Sequence, residues 1–165
     1  MVRPYDADTD ADALWDLKRG FELGLGSGTG GDDKEELYQG KLTDDYREDW
    51  LAWVGRCVAD DERCVTVATD DGDGDDALVG YVFVLPERLA FIWDAAVLNE
   101  LYVAPEYRGT GVADDLMAAA IDLARDQDLP LDRLVLDVDR ENDRAKAFYD
   151  RYEFEHWGEM VARKL

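Results

Sequence analysis

Basic residues are sparse in this chain. Lysine occurs only at positions 18, 34, 41, 146 and 164, and 18 Lys and Arg face 40 Asp and Glu, a formal net charge of −22. A duplex-binding protein needs a basic face that displaces counterions, so the composition argues against a nucleic-acid partner. There is a single histidine, His156, and a single serine, Ser27. Neither stands in a motif that would support a Ser–His nucleophile or a histidine metal site, so no metal is expected and His156 reads as a sheet residue. The two cysteines, Cys57 and Cys64, are too few for a disulfide scaffold or a four-thiolate site, and read as small buried apolar residues in a reducing cytoplasm. No apolar run approaches the roughly 18 residues of a membrane-spanning helix. The opening MVRPYDADTD carries no basic-then-apolar leader, so the expected location is cytoplasmic, away from any membrane.

What is present suffices for one core. Hydrophobic residues make up 47% of the 165 and aromatics 11%, which predicts a single domain spanning 1–165. The acidic residues are spread along the whole length rather than gathered in a tail. Such a surface repels itself in dilute buffer, whereas molar salt shortens the screening length to about 3 Å. The composition therefore points to a salt-adapted organism, with an unusually acidic mesophile protein as the alternative.

Apolar periodicity predicts a short strand over Val2–Asp6 and a helix over Asp10–Leu23, with Leu14, Leu17 and Phe21 on one face. A glycine loop over Gly24–Gly31 and a helix over Asp44–Ala59 follow. Cys64–Thr69 and Ala77–Leu85 read as a hairpin around the acidic turn DDGDGDD, and Ala95–Val103 as the next strand. Then come a helix over Gly111–Asp126, a strand over Arg133–Val138, a helix over Asn142–Tyr152, and closing strands over Phe154–Trp157 and Met160–Leu165. The implied fold class is α/β (α+β): one central, mixed, mostly antiparallel sheet flanked by helices, parallel only in its later strand–helix–strand unit.

Two motifs mislead. Gly26, Gly28 and Gly31 spell a dinucleotide-binding pattern, but a helix rather than a strand precedes them, and a mobile loop, with covering a substrate as one role open to it, is the better reading. Asp71, Asp73 and Asp75 imitate the start of a calcium loop, yet Asp76 and Val82 stand where Gly and Glu are required. The segment Leu98–Leu116 is different. An apolar strand runs into a turn, and Arg108-Gly109-Thr110-Gly111-Val112-Ala113 opens a helix. A helix start offers unpaired amides and the positive end of the dipole to an anion. Gly109 and Gly111 let the main chain approach closely, and Arg108 adds a charge-assisted donor. The alternative is an ordinary strand–turn–helix corner with glycines for packing.

The pattern Arg108-x-x-Gly111-x-Ala113, preceded by Leu101-Tyr102-Val103-x-Pro105 and followed by Asn142-x-x-Ala145-x-x-Phe148-Tyr149, resembles the GNAT superfamily of N-acetyltransferases. The likeness covers about Ala95–Trp157. It implies an acyl-CoA N-acyltransferase-like fold, acetyl-CoA as cosubstrate and an amine acceptor, with a homodimer among the allowed assemblies. By this resemblance the pantetheine arm pairs with the main chain of Leu101, Tyr102 and Val103. The pyrophosphate would rest on Gly109, Thr110, Gly111, Val112 and Ala113 beside Arg108, with Asn142 and Ala145 in contact and Tyr149 near the sulfur. Two departures stand out: Asp114 and Asp115 bring negative charge to the phosphate loop, and Glu153 replaces the usual glycine before Phe154.

Acetyl transfer to an amine needs a base, an oxyanion donor and an acid for the leaving thiolate. Glu100 is the candidate base, with a solvated strand residue as the alternative; an N–H near Leu101 is the donor. Tyr149 is the candidate acid, with a half-buried packing aromatic as the alternative. Trp50, Trp53, Phe91 and Trp93 either line an acceptor pocket or belong to the core. Acidic surroundings favour a cationic acceptor: a small amine such as a polyamine, an aminoglycoside, a lysine side chain or a protein N-terminus. A non-catalytic acyl-CoA-binding regulatory module is the alternative function, and a plain α/β interaction domain a third.

Overall fold

The computed structural model describes residues 1–28, 32–70, 72 and 77–165. Gly31 of the glycine motif and Asp71, Asp73, Asp75 and Asp76 of the acidic turn lie outside the described residues. In chain order the elements are β1 (Val2–Pro4), α1 (Ala11–Gly28), α2 (Asp32–Gly40), α3 (Asp44–Asp60), β2 (Val65–Thr69), β3 (Leu78–Val84), α4 (Glu87–Ala90), β4 (Ala96–Val103), α5 (Val112–Asp126), β5 (Leu134–Leu136) and α6 (Asp143–Asp150). The strands form one sheet in the order β1-β2-β3-β4-β5, antiparallel except for the final β4–β5 pair. This is the mixed, mostly antiparallel sheet that the element pattern predicts, in a single domain.

Two helices cover one face of the sheet and α5 the other. Trp53 of α3 packs its ring 5.1 Å from that of Phe83 on β3, and Lys18 of α1 reaches Glu100 on β4. On the opposite face, a Cβ at Gly80 would meet Leu116 of α5. α3 begins at Thr43, whose hydroxyl accepts from the Tyr46 N–H, and it buries Trp50, Val54 and Cys57 at helical spacing. α5 buries Leu116, Met117, Ala120 and Leu123 in the same way. Cys57 and Cys64 are buried free thiols, and burial pushes Cys64 up to about 12. No helix among the described residues is long and apolar enough to cross a membrane.

The structure departs from expectation at both ends. α1 runs on through Gly24 to Gly28, where a loop is expected, and α2 follows at Asp32. Glycine costs a helix about 1 kcal/mol per position, and packing of α1 against α2 and β4 outweighs that local preference. The short α4 carries too few residues for its periodicity to show. The closing strands over Phe154–Trp157 and Met160–Leu165 are not formed, and His156 is exposed outside any strand. Met160 and Val161 are exposed and find no apolar surface, and the segment makes surface contacts such as Arg140 to Glu159 instead of a ladder. β5 itself is only three residues long and half-buried.

Candidate active site

β4 outruns its neighbour. Its pairing with β5 ends at Leu98↔Leu136, while the strand continues to Val103. The break coincides with a bulge: Val84 pairs with Leu98 and Phe83 with Glu100, so Asn99 is an extra residue on β4. Leu98 and Glu100 therefore point to opposite faces although they are two apart. Beyond the bulge, Ala104 donates its N–H to Val79 on β3. By strand alternation the main-chain groups of Leu101 and Val103 then face away from β3, into the gap that β5 leaves.

At the end of β4 the chain turns through Pro105–Tyr107 and enters α5. Gly109 and Gly111 both sit at positive φ, +77° and +96°, and a Cβ built on either would meet nothing within 4 Å. Among the described residues, no acceptor takes the N–H of Gly109, Thr110, Gly111, Val112 or Ala113; helical bonding resumes at Asp114 and Asp115, which donate to Gly111. A row of partnerless amides at the positive end of a fifteen-residue helix, in open space, is an anion cradle. Thr110 ties the turn by donating its hydroxyl to Tyr107 O at 2.5 Å. Arg108 lies beside it, its guanidinium 5.8 Å from the Tyr102 ring and its Nε donating to Val103 O at 3.1 Å. Burial, and then the Arg108 charge, lower the Arg144 pKa. Arg144 is the residue that motif reading misses. Its signal is an arginine two residues past Asn142 in a chain otherwise crowded with acid.

α6 starts from Asn142, whose side-chain oxygen accepts the Ala145 N–H at 3.1 Å and so caps the helix. Tyr149, near its end, packs between Phe148 and Phe154. Burial alone pushes its phenol up to about 12, with no hydrogen bond contributing. Glu153 keeps the left-handed turn at φ 63° that glycine would adopt without strain. Asp114, one of the two acids in the first turn of α5, accepts hydrogen bonds from Arg151 and Tyr152, so its charge is offset and α5 is stapled to the end of α6.

Glu100 is not solvated. It is 6% exposed, and its carboxylate accepts Lys18 Nζ at 2.5 Å on one oxygen and the Tyr81 hydroxyl at 2.7 Å on the other. Lys18, 2% exposed, also lies 2.5 Å from Glu22 Oε1 and 5.1 Å above both the Phe21 and Trp50 rings. Burial pulls the Lys18 pKa down, but the Glu100 and Glu22 charges outweigh it and the net shift is upward. Burial first, then the Glu100 charge, drives the Tyr81 phenol well above its ordinary range. The four candidate pocket aromatics do not come together. Trp50 and Trp53 pack on α3 against the core, whereas Phe91 and Trp93 are exposed in the turn before β4, at the opposite end of that strand.

The chain matches the family model described as acetyltransferase (GNAT) family over residues 31–154. No curated protein matches it. Among solved structures, PaiA N-acetyltransferase from Thermoplasma acidophilum in complex with coenzyme A superposes with a TM-score of 0.68 at 19% identity, covering 92% of this chain and 87% of that one. AAC(6')-Iy in complex with the bisubstrate analogue CoA-S-monomethyl-acetylneamine gives 0.67 at 16%, covering 100% and 97%. Ribosomal-protein-alanine N-acetyltransferase from Brucella melitensis gives 0.67 at 21%, covering 96% and 86%. At these identities the likeness speaks for the fold, and the family model spans most of the chain: it belongs to the acetyltransferase (GNAT) family.

Proposed function

We propose that the protein is an acetyl-CoA-dependent N-acyltransferase acting on a primary amine. The observation that carries this reading is the row of partnerless amides from Gly109 to Ala113, beside the β4 edge that β5 leaves free. Acetyl-CoA supplies a thioester whose acyl carbon bonds to the amine nitrogen as the C–S bond breaks and the thiol leaves. The main chain of Leu101 and Val103, with Tyr102 between them, receives the pantetheine arm as an added strand. The amides of Gly109, Thr110, Gly111, Val112 and Ala113 hold the pyrophosphate, with Arg108 and Arg144 as charge partners and Asn142 and Ala145 opening α6 alongside. The N–H near Leu101 donates to the oxyanion. Glu100, fixed by Lys18 and Tyr81, keeps a free lone pair on the oxygen that Tyr81 reaches and takes a proton from the incoming ammonium through water. Tyr149 protonates the departing sulfur, and the second proton lost by the nitrogen restores its phenol.

The test is calorimetric titration with coenzyme A, then thiol release from acetyl-CoA over a panel of amines in molar KCl. Binding with thiol release supports the proposal. Binding without release for any amine makes the protein a regulatory module, and absence of binding overturns the site. We infer also that it works in the cytoplasm of a salt-adapted cell. Its melting midpoint should rise from dilute buffer to molar KCl as the screening length falls from about 10 Å to about 3 Å; a flat midpoint counts against this.

A further inference from the structure

The buried network on α1 ends at a partly exposed ammonium. Lys41, in the connection between α2 and α3, places Nζ 2.7 Å from Glu22 Oε2, 4.6 Å from the Tyr38 ring centroid and 5.4 Å from that of Tyr46. One carboxylate and two aromatic faces are the elements that select an alkylammonium over other cations. The carboxylate is a fixed part of the fold: Glu22 is 2% exposed, and its other oxygen is held by Lys18 at 2.5 Å. Lys41 is the outermost member: its side chain is 38% exposed, and apart from its Nζ no donor reaches the buried Glu22 Oε2.

The same carboxylate leads inward. From the Lys41 ammonium to Glu100 there are three contacts, of 2.7, 2.5 and 2.5 Å, and the span of the Glu22 carboxylate. The cage and the group assigned here as the base are thus joined through the Glu22 carboxylate and the Lys18 ammonium. The cage's present occupant also defines what fits: an ammonium on a slim, unbranched stem, as in a linear diamine, and not an amine borne on a sugar ring.

We propose that Glu22, Tyr38 and Tyr46 form the cation subsite of the acceptor, which Lys41 occupies in place of the far ammonium of a linear alkyl diamine or polyamine. The near amine of the same molecule then lies towards Glu100. That second half rests on the acetyltransferase reading; the cage does not.

The experiment is calorimetric titration of putrescine, at fixed ionic strength, into coenzyme A-loaded wild type and Lys41→Met. A tethered side chain competes as a ligand at millimolar effective concentration or above, so removing it should tighten putrescine binding by about tenfold or more. Tyr38→Leu in the Lys41→Met background should cancel the gain. A folded Lys41→Met protein that binds putrescine no more tightly than wild type overturns the proposal, and Lys41→Gln carries the same test if the methionine variant melts early. Tighter putrescine binding without acetylation of any amine would leave the cage standing and remove the acetyltransferase reading. Acetylation of other amines, with no gain on Lys41→Met, would do the reverse.

Discussion

The two sides of the site handle polarity in opposite ways. Against α1, side chains are buried and matched: Lys18 between Glu22 and Glu100, with Tyr81 donating to Glu100. At the start of α5, main-chain donors stand in the open with no partner, held there by two glycines at positive φ. Loss of one member of the first arrangement leaves an uncompensated charge inside the protein, so its cost falls on folding. The second spends nothing until an anion arrives, and damage to it falls on binding.

Four substitutions probe that contrast. Lys18→Met leaves two buried carboxylates without their shared cation, and removal of one partner from a buried ion pair costs about 3–5 kcal/mol. Denaturant unfolding should show most of the protein's stability gone; a loss under about 1 kcal/mol would mean that these contacts contribute no more than surface pairs do. Tyr149→Phe separates chemistry from packing. Its hydroxyl takes no hydrogen bond, and burial pushes it up to about 12. A phenol so raised stays protonated through the working range and is lost as a donor only at strongly alkaline pH. The rate constant kcat should therefore fall roughly 10²-fold, the low end for a lost general acid, at unchanged melting temperature and coenzyme A affinity. A fall in all three together makes the ring structural.

Gly111→Val acts on the other side. At φ +96° a β-branched residue costs of order 1–3 kcal/mol in strain. The cradle should also lose coenzyme A affinity by about tenfold or more, equivalent to about 1.4 kcal/mol. Equal affinity in calorimetry would remove the phosphate assignment. The smallest effect is a gain. Glu153→Gly relieves a left-handed non-glycine residue, where the strain is about 1–2 kcal/mol, although the extra freedom of glycine in the unfolded chain takes back part of it. A melting temperature lower than wild type would show that the Glu153 side chain contributes more than its backbone costs.

Sequence reading reached the parts of this molecule that are local. The run from Leu101 to Ala113 encodes strand, turn, glycine pair and helix start in contiguous residues, and each falls where its pattern places it. The antiparallel β2–β3 hairpin and the parallel β4–β5 pair also fall where the turn and the strand–helix–strand pattern place them. What was not legible depends on distance in the chain. For Glu100 a solvated strand residue stands as the alternative to a base because its cation, Lys18, lies 82 residues away. A hint was present, since Lys18 and Glu22 follow Leu14 at four-residue steps and so fall on the apolar stripe of α1. Strict alternation along β4 also fails at Asn99, and no residue type there announces a bulge. The closing strands were misread because alternation alone does not supply an apolar surface to bury against.

Arg108 has two calls on its guanidinium. Its Nε holds the carbonyl of Val103, one of the groups assigned to the pantetheine arm, while its charge is assigned to the phosphates. On these assignments the Val103 carbonyl is open to the pantetheine arm only while Nε lets go of it, so the binding-ready fraction is the one with Arg108 swung outward, and the apparent affinity is reduced by that fraction. The residue then lowers both rate constants, slowing arrival and prolonging residence, with opposite effects on affinity. Arg108→Ala would accordingly show faster association together with faster dissociation, and an equilibrium constant that changes less than either.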